Sequence, residues 1–364
     1  MSDEAYYVPE ARLIIDEGEI LYPEHPALGK LFIAGGISVF GDNPWGWRVP
    51  SAIFAAASVL IFYLICRQLT GKSTAILASI LFTFESLTFL YSSLAILDIF
   101  SLTFMLLAFL FYLKGRYVFS GATLALSGLC KMTGLLGVFV ILAHWIITRR
   151  SESPRTIAYF LVSAVIAFML LMPLFDFAAT REWLSPLDRI GDMLVFHQGL
   201  TYENINGAEN ASFPWEWIFG SPGYRSTNYP NLMVIINPAL WILIVPSMGY
   251  MVFDFIKYRT NASLFAILWF AATYLIWIPI VLATDRLTYI YYFVPTIGAV
   301  CIAIGFALSR LWEIQSRGHF IKNRPLVNLV IRRSFQVIIV GYLSLFILMF
   351  IYYWSTSFSA PLEG

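Results

Sequence analysis

Ten apolar segments recur along this chain, at 47–69, 74–91, 93–113, 117–130, 133–148, 156–176, 233–256, 262–283, 288–309 and 334–354. A helix rises about 1.5 Å per residue, so about 20 apolar residues cover a hydrocarbon layer of about 30 Å. The composition agrees: 59% of residues are apolar and 12% are charged, about half the charge of a soluble domain. A net charge of +1 with no isolated basic tract argues against a disordered or nucleic-acid-binding chain. Cys66, Cys130 and Cys301 each sit in or beside an apolar run, which suits neither a disulfide framework nor a metal knuckle. The expected fold is all-α: a polytopic integral membrane protein of about ten spans.

Segments 117–130 and 133–148 are short, and a single tilted helix would reverse the parity of every later span. Charge decides between the two divisions. Arg67, Lys72, Lys114, Arg116, Arg149, Arg150, Arg155, Lys257, Arg259, Arg310, Arg317, Lys322, Arg324, Arg332 and Arg333 fall on one side when ten spans are kept. That is 15 of 23 cations, and only Glu152, Asp254 and Glu313 of 22 acids join them. The positive-inside rule makes that side cytoplasmic, with both termini outside. Nothing in residues 1–4 would carry an outward N-terminus across a membrane, so a further apolar helix is expected upstream of Met1.

One domain over 1–354 is expected. It divides into an outer segment 1–46, a helix group 47–176, an outer aromatic loop 177–232 and a helix group 233–354, with a tail at 355–364. Segment 27–41 is apolar but too short to span, and 5–20 reads as a short amphipathic helix, so both are expected at the interface. The chain opens with acids, unlike a cleavable signal peptide.

Asp3 and Glu4, followed by Tyr6 and Tyr7, would alone be a solvated surface pair. Their company is more specific. Glu24-His25-Pro26-Ala27-Leu28-Gly29-Lys30 comes next, then Asn43-Pro44-Trp45-Gly46-Trp47-Arg48 at the start of the first long segment. Leu94-Ala95-Ile96-Leu97-Asp98, Lys131-Met132-Thr133-Gly134, Pro214-Trp215-Glu216-Trp217 and Arg286-Leu287-Thr288-Tyr289-Ile290-Tyr291-Tyr292 follow in order. This series resembles the protein O-mannosyltransferase family, within the polytopic GT-C glycosyltransferases that use lipid-phosphate sugars. The nearer likeness is to compact prokaryotic-type members. Ser93 and Glu85 depart from the family pattern, which has Arg and Asp there, and the family's first helix before the acidic pair is missing.

The resemblance implies an inverting transferase that moves mannose from dolichyl- or polyprenyl-phosphate-mannose to Ser/Thr hydroxyls of proteins outside the cytoplasm. Transfer needs a base at the acceptor hydroxyl and positive charge on the leaving phosphate. Asp3 is the expected base and Glu4 its catalytic companion. His25, Lys30, Arg48, Lys131 and Arg286 are the candidate donor-binding groups. A lysine inside a span costs about 2.5–3.5 kcal/mol on insertion scales, so Lys131 needs a partner, and Asp98 is the obvious one. Glu85, Tyr289 and Tyr291 are expected in support. Trp215, Trp217 and His197 of the outer loop are candidates for an acceptor platform, though aromatic residues also collect at any membrane interface.

Glu24, His25 and His197 are weak candidates for a divalent metal, because transferases acting on lipid A hold one in a comparable place; no cofactor is otherwise expected. Expected partners are the lipid donor, a protein acceptor, membrane lipid and a second copy in a dimer, with no nucleic acid. Two alternatives stay open: a lipid or glycan acceptor, as in the aminoarabinose transferases of lipid A, and a transporter or flippase lined by Glu85, Asp98 and Lys131.

Overall fold

A computed structural model describes residues 4–149, 151–204, 210–225, 233–317 and 325–358. Asp3, the expected base, lies outside the described residues. Two surface helices come first, α1 (Glu4–Asp16) and α2 (Leu28–Phe40), where interfacial helices were expected. The long α3 (Pro44–Leu69) starts at Asn43, whose side chain accepts from the Trp45 and Gly46 amides, while Pro44 occupies the first turn without wasting a donor. Gly46 allows α2 to lie against α3: a Cβ there would stand 1.8 Å from the Gly41 carbonyl oxygen.

Helices α4 (Lys72–Thr83) and α5 (Ser86–Ser93) meet at a bend of 60°. The break is organised by Glu85, which is fully buried. Its backbone is extended, and its carboxylate accepts from the Leu87 and Thr88 amides that begin α5 and from the Asn237 amide. A buried helix end needs such partners, since no water reaches its free N–H groups.

Next come α6 (Leu97–Leu113) and α7 (Tyr117–Cys130). A 3₁₀ turn at Met132–Leu136 then runs into α8 (Gly137–Thr148). The two short segments are therefore separate helices: Lys131 is extended, and the chain reverses there, bringing Leu135 back beside Gly128. At the other end Arg149 donates to the Tyr117 hydroxyl at 2.9 Å and to the Leu113 carbonyl at 3.4 Å. The end of α6, the start of α7 and the end of α8 thus lie close together.

The long α9 (Pro154–Thr180) crosses α7 at Gly121, where a Cβ would meet the Phe160 carbonyl at 2.2 Å. The outer loop holds α10 (Pro186–Gln198), α11 (Glu216–Phe219) and an antiparallel pair, β1 (Gly223–Arg225) with β2 (Met233–Ile235). The second helix group is α12 (Pro238–Trp241), α13 (Ile244–Tyr258), α14 (Asn261–Phe270), α15 (Trp277–Thr284), α16 (Val294–Arg317) and α17 (Pro325–Phe358). Among the described residues six helices are long and apolar enough to cross a membrane, or seven if the bent pair is one span; α6, α7 and the 132–148 segment are shorter. Each of the ten expected segments carries helix, although 233–256 opens on the strand β2 and 93–113 is broken at 94–96. The central α16 is almost wholly enclosed, whereas α9 and α17 turn Leu170, Val337 and Leu348 outward, which costs nothing in lipid.

Candidate functional site

The Lys131 reversal, the end of α10, the start of α15 and the 286–292 segment enclose a cavity of about 640 Å³. Its polar end is formed by His25, Lys131, His197, Gln198, Thr201, Arg286 and Tyr292. Its walls are apolar: Met132, Leu135, Leu136, Phe139, Leu194, Trp277 and Ile280. Phe139 and Leu194 are about half exposed, at 49% and 54%, so the apolar part of the cavity opens to the protein surface.

Lys131 has the partner its burial demands. Its ammonium is held by both oxygens of Asp98, at 2.9 and 2.8 Å, and lies 5.0 Å from the centre of the Tyr291 ring. Tyr291 stacks on Tyr289, with ring centres 5.2 Å apart, and packs against Tyr91. The expected Lys–Asp pair and the two supporting tyrosines thus come together around Lys131, which of the four lines the cavity.

Arg286 donates through Nη1 to the His197 carbonyl at 2.6 Å and through Nη2 to His197 Nδ1 at 3.1 Å. A guanidinium only donates, so Nδ1 is the bare nitrogen of that ring. Backbone pairing fixes the two segments: Thr201 bridges Arg286, the Tyr202 amide reaches the Asp285 carbonyl, and the Leu287 amide reaches Leu200. Burial, then the Arg286 charge, pushes His197 down to about 4. Burial, then the Lys131 charge, holds His25 well below the usual histidine range. Both imidazoles are neutral at pH 7, and His25 Nδ1 has no hydrogen-bond partner. Burial raises the neighbouring Glu24 carboxyl. Among the described residues no three His, Cys, Asp or Glu side chains cluster as a metal would need.

Several expected site residues are used otherwise. Lys30 is fully buried and does not line the cavity: it pairs with Glu10 at 2.9 Å and donates to the Tyr22 carbonyl, pinning the 17–27 loop. Arg48 is likewise off the cavity. Its Nε and Nη2 meet the two oxygens of Glu4 at 2.8 and 2.6 Å, and Glu4 also accepts from the Ala95 amide. Glu4 is therefore an anchor that ties the chain beside Asp3 to α3 and to the start of α6. Glu85 supports the helix break described above. Trp217 is 1% exposed and cannot serve an acceptor; its Nε1 donates to Ser212 Oγ within a packed aromatic group. Trp215 stacks on Phe213 at 4.7 Å and stays partly exposed. His197 belongs to the cavity, not to an acceptor platform. Reading motifs missed Gln198, Thr201 and Trp277, although Gln198 is the direct neighbour of His197.

Among the described residues, six or seven helices of membrane-spanning length make this a multi-pass membrane protein, and its fold is that of the GT-C class. Solved structures share the fold. The yeast protein O-mannosyltransferase Pmt1–Pmt2 complex bound to the sugar donor superposes with a TM-score of 0.72 at 11% identity, covering 96% of this chain and 85% of that one. ArnT of Cupriavidus metallidurans bound to undecaprenyl phosphate gives 0.59 at 14% identity, over 98% and 72%. The chain spans about half the length of an Archaeoglobus fulgidus oligosaccharyltransferase of the same fold.

The family is narrower than the class. The profile of dolichyl-phosphate-mannose-protein mannosyltransferases matches residues 24–175. A polyprenol-phosphate-mannose–protein mannosyltransferase of Corynebacterium glutamicum is 25% identical over 411 aligned positions, covering 90% of this chain and 76% of the relative. The chain is a glycosyltransferase, and over these stretches it is similar to that family, as its motifs implied.

Proposed function

We propose that the chain transfers mannose from a polyprenyl- or dolichyl-phosphate carrier to Ser/Thr hydroxyls of proteins, with inversion, on the extracytoplasmic face of a cell membrane. The observation that carries this reading is the cavity itself. Its lining combines cationic side chains with apolar ones that open to the surface, a pairing that suits the phosphate and the chain of a lipid phosphate. Lys131 and Arg286 supply charge, and the neutral His25 and Gln198 supply further polar contacts, where a phosphate oxygen gains charge as the glycosidic bond breaks. Asp3 takes the acceptor proton as the new bond forms at the anomeric carbon, and Glu4 sets its position through Arg48 and Ala95. The bond from the anomeric carbon to the phosphate oxygen breaks, and both of its electrons leave with the phosphate.

Purified chain given labelled polyprenyl-phosphate-mannose and a Ser/Thr-rich peptide should label the peptide, and Asp3→Asn should abolish labelling. Equal labelling by both would remove Asp3 as base. Label recovered in lipid would favour the second reading, an amino-sugar or mannose transferase with a lipid acceptor, which the likeness to ArnT supports. Donor crossing proteoliposomes without transfer would favour transport.

A further inference from the structure

Arg189, on α10, belongs to no motif and does not line the cavity. Its side chain is nevertheless 5% exposed, rare for a guanidinium. Nη2 donates to the His25 carbonyl at 3.3 Å, across 164 residues of sequence. On its other side Nε stands 3.8 Å from Asp176 of α9, which is 1% exposed, and makes no hydrogen bond to it. A pair built to fasten α10 to α9 would be bidentate and closer. Here the directional contact goes to the backbone of His25.

His25 lies in a turn, with neither helix nor strand to fix it. About two helical turns beyond Arg189, His197 is gripped by Arg286 and faces the Glu24 backbone. Helix α10 thus meets the Glu24–His25 dipeptide near both of its ends, by a hydrogen bond at Arg189 and by ring contact at His197. Its opposite face exposes Leu187, Leu194 and Val195, which suits a seat in the lipid interface. Between the two contacts the His25 ring faces the cavity, 5.8 Å from that of His197, with Nδ1 unpartnered.

We propose that Arg189 is a positioning residue for the donor: through the His25 carbonyl it fixes the peptide so that the imidazole meets the carrier phosphate. This rests on the lipid-phosphate reading above. A lysine would not replace it, because a single ammonium cannot both donate to the His25 carbonyl and keep the guanidinium's broad, planar charge beside Asp176.

The test separates positioning from folding. Arg189→Gln leaves Asp176 buried and uncompensated, so it is paired with the double variant Arg189→Met/Asp176→Leu, which removes both charges and restores packing. The double variant should melt within a few degrees of wild type. Its donor KM should stay raised by roughly tenfold to hundredfold, the cost of a misplaced site group, with kcat within about twofold. Affinity for undecaprenyl phosphate, read by native mass spectrometry, should fall in parallel. A double variant with wild-type KM and affinity would overturn the role of Arg189 and leave the function standing. Wild type that neither transfers mannose nor binds the lipid phosphate would overturn the function itself.

Discussion

The ammonium of Lys131 lies 2.8 and 2.9 Å from the two oxygens of Asp98, 33 residues earlier in the chain. The pair exists because the chain stops being helical at Lys131 and reverses, directing that side chain toward the first turn of α6. Removing one partner strands the other. Lys131→Met should cost about 3–5 kcal/mol, the penalty of an uncompensated buried charge. Lys131→Met/Asp98→Leu should recover most of that in thermal unfolding and still transfer no mannose. Recovery of transfer by the double variant would show that the pair is structural alone.

Arg48 touches Glu4 and lies off the cavity, so its loss should separate binding from chemistry. Arg48→Ala should lower kcat by about 10²-fold, as expected for a misplaced base, while affinity for undecaprenyl phosphate stays at the wild-type value. Arg48→Lys should rescue little, since an ammonium cannot match both Glu4 oxygens. A fall in lipid-phosphate affinity would return Arg48 to the donor site.

The two cavity histidines make stability depend on pH. Both have pKa values held below the ordinary 6.5, His197 at about 4. As pH falls below 6.5 the unfolded chain protonates both rings and the native chain does not, so the unfolded state binds more protons and stability declines. The melting temperature should therefore drop from pH 6.5 toward pH 4 and be flat just above pH 7. His197→Asn should shallow that slope; an unchanged slope would mean that His197 is not held neutral.

Two glycines of neighbouring elements should behave oppositely. Gly46→Ala places a methyl 1.8 Å from the Gly41 carbonyl and must part α2 from α3, at a cost of about 1–3 kcal/mol. Gly35 of α2 has open space around it, so Gly35→Ala should be neutral or stabilise by up to about 1 kcal/mol through helix propensity. Thermal unfolding of the two variants side by side checks both.

The spans were legible because lipid imposes length and apolarity on each segment independently of its neighbours. The Lys131–Asp98 pair was legible for a related reason: a lysine between two apolar runs must be compensated. Lys30 misled because the same logic has two solutions, a substrate phosphate or a buried acid, and Glu10 was the answer. Trp217 misled because packing against Tyr274 and Tyr292, nearly 60 residues or more away, decides whether an aromatic is platform or core. Arg189 was invisible for the opposite reason: its partner is a backbone carbonyl, which carries no residue signature.

The cavity wall formed by Phe139 and Leu194 has a consequence for how the reaction should be counted. A substrate that arrives past these two side chains comes from the plane of the membrane, not from the water. Its effective concentration is then a number of carriers per unit of bilayer area. Adding inert lipid at fixed protein and donor should slow the reaction, whereas adding buffer should leave the donor-limited rate unchanged.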